Sequence, residues 1–126
     1  MKLVYLDNAA STKISARVVE KMMESYSENY GNPSSTHKLG QKARATVEKT
    51  RNLIAGYLGA EGKEIIFTSG GAEGNNLVIR GALNAYDYKG KHIITSKIEH
   101  STVLRTCQQL EREGYEVTYI DVDENG

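Results

Sequence analysis

The sequence contains no tryptophan, one proline, one phenylalanine and one cysteine in 126 residues. The single cysteine, Cys107, excludes a disulfide within the chain and is typical of a reducing compartment. Three histidines and one cysteine show no metal-ligand spacing, so we expect no metal site. The apolar runs are only a few residues long, so none of them could span a bilayer.

No sign of charge is in excess, because sixteen basic side chains balance sixteen acidic ones. This balance predicts no basic surface for nucleic acid or for an anionic membrane. The N-terminus reaches Asp7 too early for a secretory signal peptide. We therefore expect a cytoplasmic protein whose partners include neither nucleic acid nor a membrane.

Hydrophobic spacing and turn residues predict three parts: an N-terminal arm over 1–12, two helices over 13–58, and an incomplete parallel α/β portion over 59–126. Apolar residues recur every four positions from Ile14 to Tyr30, which predicts a first helix capped by Ser11 or Thr12. The loop from Gly31 to His37 follows it and should be ordered, because its polar side chains can bond their own backbone. A second helix should open near Ser35 or Thr36 and stop at Gly59.

The third part has the pattern β-α-β-α-β. The predicted strands are Glu64–Ser69, His92–Ser96 and Tyr115–Val122, and the predicted helices are Ala72–Tyr88 and Ser101–Glu113. Long helical crossovers require parallel strands, so the expected fold class is α/β, a three-layer piece with helices on both faces of a parallel sheet. Three strands make a small sheet for such a fold, and we expect an incomplete domain.

A glycine-rich turn joins the first predicted strand to its helix. Backbone N–H groups at a helix start favour an anion, and Gly70 and Gly71 precede such a start. The glycines at 70, 71 and 74 match neither a P-loop nor the dinucleotide fingerprint. From this stretch alone, a phosphate site and a plain tight turn are about equally supported.

His100 follows the second predicted strand. Open parallel sheets bind ligands at the carboxyl ends of their strands, so this residue and the glycine-rich turn should lie on one edge. An anion on the N–H groups of Gly71 and Ala72 would then sit near the imidazole of His100, which suits a phosphorylated aromatic cofactor. The simpler alternative is that His100 only caps its helix.

Four other residues invite a functional interpretation. We interpret His37 as a loop histidine that bonds its own backbone, and Cys107 as a buried, inert thiol. Lys97 should be a solvated lysine, because no desolvating pocket is predicted around it. Glu73 should point away from any bound phosphate, which it would repel.

Four ordered motifs resemble those of NifS/IscS-type cysteine desulfurases, in the class V aminotransferase superfamily. They are Tyr5–Thr12, Gly31–His37, Phe67–Asn76 and Ile98–Ser101. The resemblance implies a type I pyridoxal-phosphate fold and a homodimer. It implies that Gly71 and Ala72 bind the cofactor phosphate, and that His100 stacks on the pyridine ring and assists proton transfers.

The family's reaction, by the same resemblance, converts L-cysteine to L-alanine and leaves a persulfide on a catalytic cysteine. Acceptor or scaffold proteins then carry the sulfur to iron–sulfur clusters or thiolated tRNA. The chain departs from the family at Ala72, where threonine is usual, and this loses one charge-assisted hydrogen bond of about 1.5–3 kcal/mol. No residue matches the family's Schiff-base lysine, its pyridine-pairing aspartate or its catalytic cysteine, and Cys107 does not stand in the cysteine's place.

We therefore expect the N-terminal part of a cysteine desulfurase that is inactive by itself and binds pyridoxal phosphate weakly. Selenocysteine lyase and other class V enzymes are the alternative parents. A stand-alone interaction module, which pairs with another chain or with itself, is a second alternative, and a nucleotide-binding α/β domain is a third.

Overall fold

The computed structural model describes residues 3–86, 88 and 90–126. The chain forms two compact units, Met1–Ile65 and Ile66–Gly126. The elements of the first unit are α1 (Ala16–Glu28), α2 (Lys38–Leu58) and a 3₁₀ turn (Gly62–Glu64), and those of the second are α3 (Gly71–Ala85), β1 (His92–Ser96), α4 (Ser101–Arg112) and β2 (Glu116–Ile120). Met1 and Lys2 of the predicted arm and Asp87 of a predicted helix lie outside the described residues. The three-part division of the chain stays a prediction.

The first helix begins later than the sequence predicted. Ser15 caps α1, and its side-chain oxygen accepts a hydrogen bond from the Val18 N–H at 3.4 Å. The proposed cap at Ser11 or Thr12 is therefore wrong. The Ser11 hydroxyl is engaged elsewhere, 2.9 Å from the Tyr5 hydroxyl.

The second helix starts under a tightly packed loop. Its cap is His37, not Ser35 or Thr36, and it ends at Gly59 in the left-handed conformation, as predicted. Gly40, in the first turn, is buried against the loop. A Cβ added to Gly40 would collide with the Ser35 carbonyl oxygen and lie 2.7 Å from that of Asn32.

The predicted strand Glu64–Ser69 is wrong. Gly62–Glu64 form a 3₁₀ turn whose capping box joins the Glu64 carboxylate to the Glu61 N–H at 2.7 Å. No strand is formed over residues 65–69, the described sheet consists of β1 and β2 alone, and Ile66 is 65% exposed. An apolar run forms a strand only where another strand offers its edge, because its N–H and C=O groups need partners.

The second unit contains a two-stranded parallel sheet in place of the predicted three strands. β1 has its predicted bounds and pairs with β2 in a register that runs from His92↔Glu116 to Ser96↔Ile120. Helix α4 connects the two strands and packs against both α3 and β2. Cys107 and Leu110, on α4, are the largest fully buried side chains of the described residues.

The helices of the described residues include none that is both long and apolar enough to cross a membrane. Large apolar side chains nevertheless remain exposed in both units. Helix α1 buries no residue, and Met23 and Tyr26 are 63% and 71% exposed. In the second unit Val78 and Ile94 are 69% and 62% exposed.

Alanine at two glycines of α2 should change stability in opposite directions. Gly40→Ala should lower the free energy of unfolding by about 1–3 kcal/mol, because the new methyl group collides with backbone oxygens. Gly56→Ala should raise it by about 0.5–1 kcal/mol, because nothing lies within 4 Å of the added Cβ and alanine favours the helix. Urea unfolding followed by circular dichroism measures both variants, and shifts of the same sign would contradict the packing at Gly40.

Candidate functional site

Helix α3 begins on an open, glycine-lined turn. Gly70 is its N-cap, with extended backbone angles (φ 166°, ψ −179°) and no side chain to cap the helix. The first N–H groups of a helix, here those of Gly71, Ala72 and Glu73, have no acceptor within the helix. Gly70, Gly71 and Ala72 are exposed, and a Cβ added at Gly70 or Gly71 would meet no described neighbour within 4 Å, so this turn is open to solvent.

The Glu73 carboxylate stabilises this turn from within. It accepts a hydrogen bond from the Ser69 N–H at 2.6 Å, and the Thr68 hydroxyl donates to the Gly70 carbonyl at 3.2 Å. The backbone hydrogen bond from Ser69 lowers the pKa of Glu73 below its usual range. Glu73 thus remains ionised at neutral pH and places a negative charge beside the turn.

His100 caps helix α4, and its role at a cofactor stays a prediction. Its Nδ1 accepts the Thr102 N–H at 3.2 Å and lies 2.9 Å from the Thr102 hydroxyl. The imidazole is exposed, and no hydrogen bond to Nε2 is found among the described residues. Capping occupies one ring nitrogen and leaves the other available to a ligand.

Two asparagine–threonine pairs join α3 to α4. The Asn75 side-chain amide donates to the Thr102 hydroxyl at 2.8 Å, and the Thr106 hydroxyl donates to the Asn76 side-chain oxygen at 3.1 Å. Asn76 also donates to the Ala72 carbonyl at 2.9 Å. Because Asn75 follows Gly71 by one helical turn and Thr102 follows His100 by two residues, the starts of the two helices lie side by side.

The other candidates have structural partners. Lys97 is exposed and pairs with Asp121 at 2.6 Å, in agreement with its interpretation as a solvated lysine. Cys107 is 1% exposed, and burial raises the pKa of its thiol, so the buried, inert interpretation is confirmed. His37 accepts the Gly40 N–H at 3.4 Å, a bond to its own backbone segment as predicted. The described residues contain no group of three or more His, Cys, Asp or Glu side chains that could hold a metal ion.

The sequence matches the family Aminotransferase class-V over residues 4–126. The chain belongs to this family. It is 53% identical over 130 aligned residues to the cysteine desulfurase IscS of Escherichia coli O139:H28, an alignment that covers 100% of this chain and 32% of the relative. The chain thus spans about a third of the length of that relative.

Solved structures of the family share the fold. A NifS-like protein superposes with a TM-score of 0.83 and 38% identity, over 90% of this chain and 31% of the other. SspA in complex with cysteine superposes with a TM-score of 0.80 and 43% identity, over 89% and 32%. The resemblance to NifS/IscS-type cysteine desulfurases and the α/β fold class are confirmed, and the family is pyridoxal-phosphate-dependent.

The sequence analysis missed Asn75 and Thr102 as parts of the candidate site. Asn75 stands inside the third motif, but the pattern gives no sign of what it contacts. Thr102 lies two residues after His100, where a hydroxyl can reach the ring of a capping side chain. That short spacing was the available signal, and its importance depends on the packing of α3 on α4.

The Glu73 carboxyl group should titrate below the ordinary glutamate pKa of about 4.3. Its contact with Ser69 contributes stability that is present above the unfolded-state pKa and is lost as the pH falls through the lower folded-state pKa. Carbon-13 NMR of the carboxyl group from neutral to acidic pH measures the midpoint, and the Ser69 amide shift should follow the same curve. In the Glu73→Gln variant that amide shift should stay constant, and a Glu73 midpoint at or above the ordinary value would contradict the contact.

Proposed function

We propose that this chain is the N-terminal part of a pyridoxal-phosphate-dependent cysteine desulfurase, and that it binds the cofactor's phosphate and ring. One observation supports this most strongly. The start of α3, which is open to solvent, lies beside the start of α4, which His100 caps, and the Asn75–Thr102 hydrogen bond joins the two helices. The chain that carries this arrangement is 53% identical to a cysteine desulfurase.

The residues present fit the phosphate of this cofactor. Gly71 and Ala72 offer backbone N–H donors at the start of a 15-residue helix, in open space that a phosphate can enter. The charge of Glu73 opposes a second anion, but its carboxylate is exposed and hydrogen-bonded to Ser69, so water screens the repulsion. The donors would contact the phosphate directly.

Each residue would have a distinct task. Gly71 and Ala72 would hold the phosphate and orient the cofactor, and His100 would lie against its ring, with Nε2 placed to hold or transfer a proton. When bound, pyridoxal phosphate supplies an electron sink for carbanion chemistry. The chain itself contributes binding, orientation and one titratable nitrogen.

The substrate of the whole protein would be L-cysteine, and the products L-alanine and a persulfide on a cysteine. The cysteine bound in the SspA structure supports this substrate for a neighbour of 43% identity. Cys107 is too buried to carry the persulfide, and no lysine here matches the one that holds the cofactor in the family. The proposal therefore assigns the reaction to the whole protein, acting as a cytoplasmic homodimer that delivers sulfur to acceptor or scaffold proteins for iron–sulfur clusters or tRNA thiolation.

Pyridoxine 5′-phosphate should bind this chain weakly through its phosphate. This compound lacks the aldehyde, so it does not react with surface lysines, and pyridoxine without phosphate is the matched control. In ¹⁵N NMR titrations the phosphate compound should shift the amide signals of Gly71 and Ala72, and pyridoxine should leave them unchanged. Ala72→Thr should tighten binding about tenfold to a hundredfold, because it adds one charge-assisted hydrogen bond. Equal shifts with both compounds would contradict a phosphate site.

A chimaera tests the proposed reaction. Residues 1–126 should replace the aligned third of the E. coli relative and retain both cofactor binding and sulfide release from cysteine. His100→Ala in the chimaera should lower the rate about 10²–10⁴-fold, the usual loss when a general acid–base group is removed. A chimaera that binds the cofactor but prefers selenocysteine would favour a selenocysteine lyase. A folded chimaera that cannot bind it would favour an interaction module.

A further inference from the structure

We propose that Thr102 and Asn75 are positioning residues that hold His100 in one tautomer, with the proton on Nε2. His100 caps α4 through Nδ1, and Thr102 and Asn75 form a hydrogen-bonded chain that ends on the same nitrogen. These hydrogen bonds connect α3, the helix that follows the proposed phosphate turn, to the imidazole at the start of α4.

The backbone determines the first step. The Thr102 N–H can only donate, and its acceptor at 3.2 Å is Nδ1 of His100. In a neutral imidazole one nitrogen carries the proton and the other accepts. This contact favours the neutral ring with its lone pair on Nδ1 and its proton on Nε2, and a second donor to Nδ1 strengthens the preference.

The Thr102 hydroxyl has the same requirement. It lies 2.9 Å from Nδ1, and because Nδ1 carries no proton, the hydroxyl must be the donor of this bond. The hydroxyl oxygen is then left to accept, and the Asn75 side-chain NH₂ group donates to it at 2.8 Å. The directions of the hydrogen bonds between His100, Thr102 and Asn75 all agree with the tautomer that the Thr102 backbone N–H favours. They also fix which side-chain atom of Asn75 is the donor nitrogen.

The geometry gives Asn75 and Thr102 a role that differs from simple helix packing. Both side chains are half-buried, whereas His100 is exposed, so the polar chain anchors the ring from its protein side. The ring then presents Nε2–H outward as a donor. That this proton serves a cofactor or substrate rests on the proposed function, but the tautomer itself depends only on residues of this chain.

Long-range ¹H–¹⁵N NMR of the uniformly ¹⁵N-labelled chain, without any ligand, tests the tautomer. The spectra are recorded at alkaline pH, so that the two tautomers of a neutral imidazole are compared. His100 is assigned by the signal that disappears in His100→Asn. We expect a protonated Nε2, an unprotonated Nδ1, and a scalar coupling between Nδ1 and the Thr102 amide nitrogen. A proton on Nδ1, or a missing coupling in the folded chain, would overturn the proposal.

Matched variants separate positioning from folding. Thr102→Val keeps the shape of the side chain but removes the hydroxyl, so the Nδ1 signal should move towards that of a mixture of tautomers. Thr102→Ser should restore the original signal. Asn75→Asp should act like Thr102→Val, because a carboxylate accepts the hydroxyl proton and leaves Nδ1 without this donor. Unchanged methyl signals of Leu110 report an intact fold, and an unchanged Nδ1 signal in all three variants would refute the proposed role.

This measurement is independent of the proposed function. Failure of pyridoxine 5′-phosphate to shift the Gly71 and Ala72 signals would count against the phosphate site and leave the tautomer unaffected. A mixture of tautomers in the unaltered chain would overturn the positioning role and leave the phosphate site unaffected.

Discussion

The packing of α3 against α4 is the constraint on which the candidate site depends. Thr106 is only 4% exposed, and its hydroxyl shares one proton between the Thr102 carbonyl at 2.7 Å and the Asn76 side-chain oxygen at 3.1 Å. A buried hydroxyl left without a partner costs about 1–3 kcal/mol, so a slip of one helix along the other is penalised. Apolar contacts around Leu110 tolerate small displacements, whereas these hydrogen bonds do not. The polar pairs therefore fix the relative position of the two helix starts, where the proposed ligand groups lie.

In the described part of the second unit, the fully buried side chains all lie on α4. Its Cys107 and Leu110 are almost fully buried, while Val78 on α3 and Ile94 on β1 remain largely exposed. Ile94 belongs to a continuously apolar strand, the pattern that is typical of a sheet covered by helices on both faces. Burial of a side chain depends on the neighbours that the chain provides as well as on its own pattern. The local elements of the second unit are thus formed without most of the burial that the pattern implies.

Some features that depend on local residues alone were predicted correctly, whereas features that depend on neighbouring elements were predicted only where those elements are present. Gly59 ended α2 as predicted because a left-handed C-cap is a local property of glycine. β1 formed over its predicted range because β2 offers it an edge, whereas the apolar run in Glu64–Ser69 is not part of the sheet that the described residues form. The His37 cap was difficult to predict, because serine, threonine, aspartate and asparagine are the residues that favour this position. The motifs identified Gly71, Ala72 and His100, but only the three-dimensional packing reveals how Asn75 reaches Thr102.

The proposed anion site lies on a turn that already holds a carboxylate. The Glu73 carboxylate accepts a hydrogen bond from the Ser69 N–H, and Ser69 precedes the helix. The helix donors at Gly71 and Ala72 are left for an external ligand, since a carboxylate bound to Ser69 does not also cap them. The charge of Glu73 is solvent-exposed and screened, whereas hydrogen bonds to a phosphate would be direct and charge-assisted. In the proposed site, local order and ligand binding would use different N–H groups of the same turn, so the turn could form before a ligand arrives.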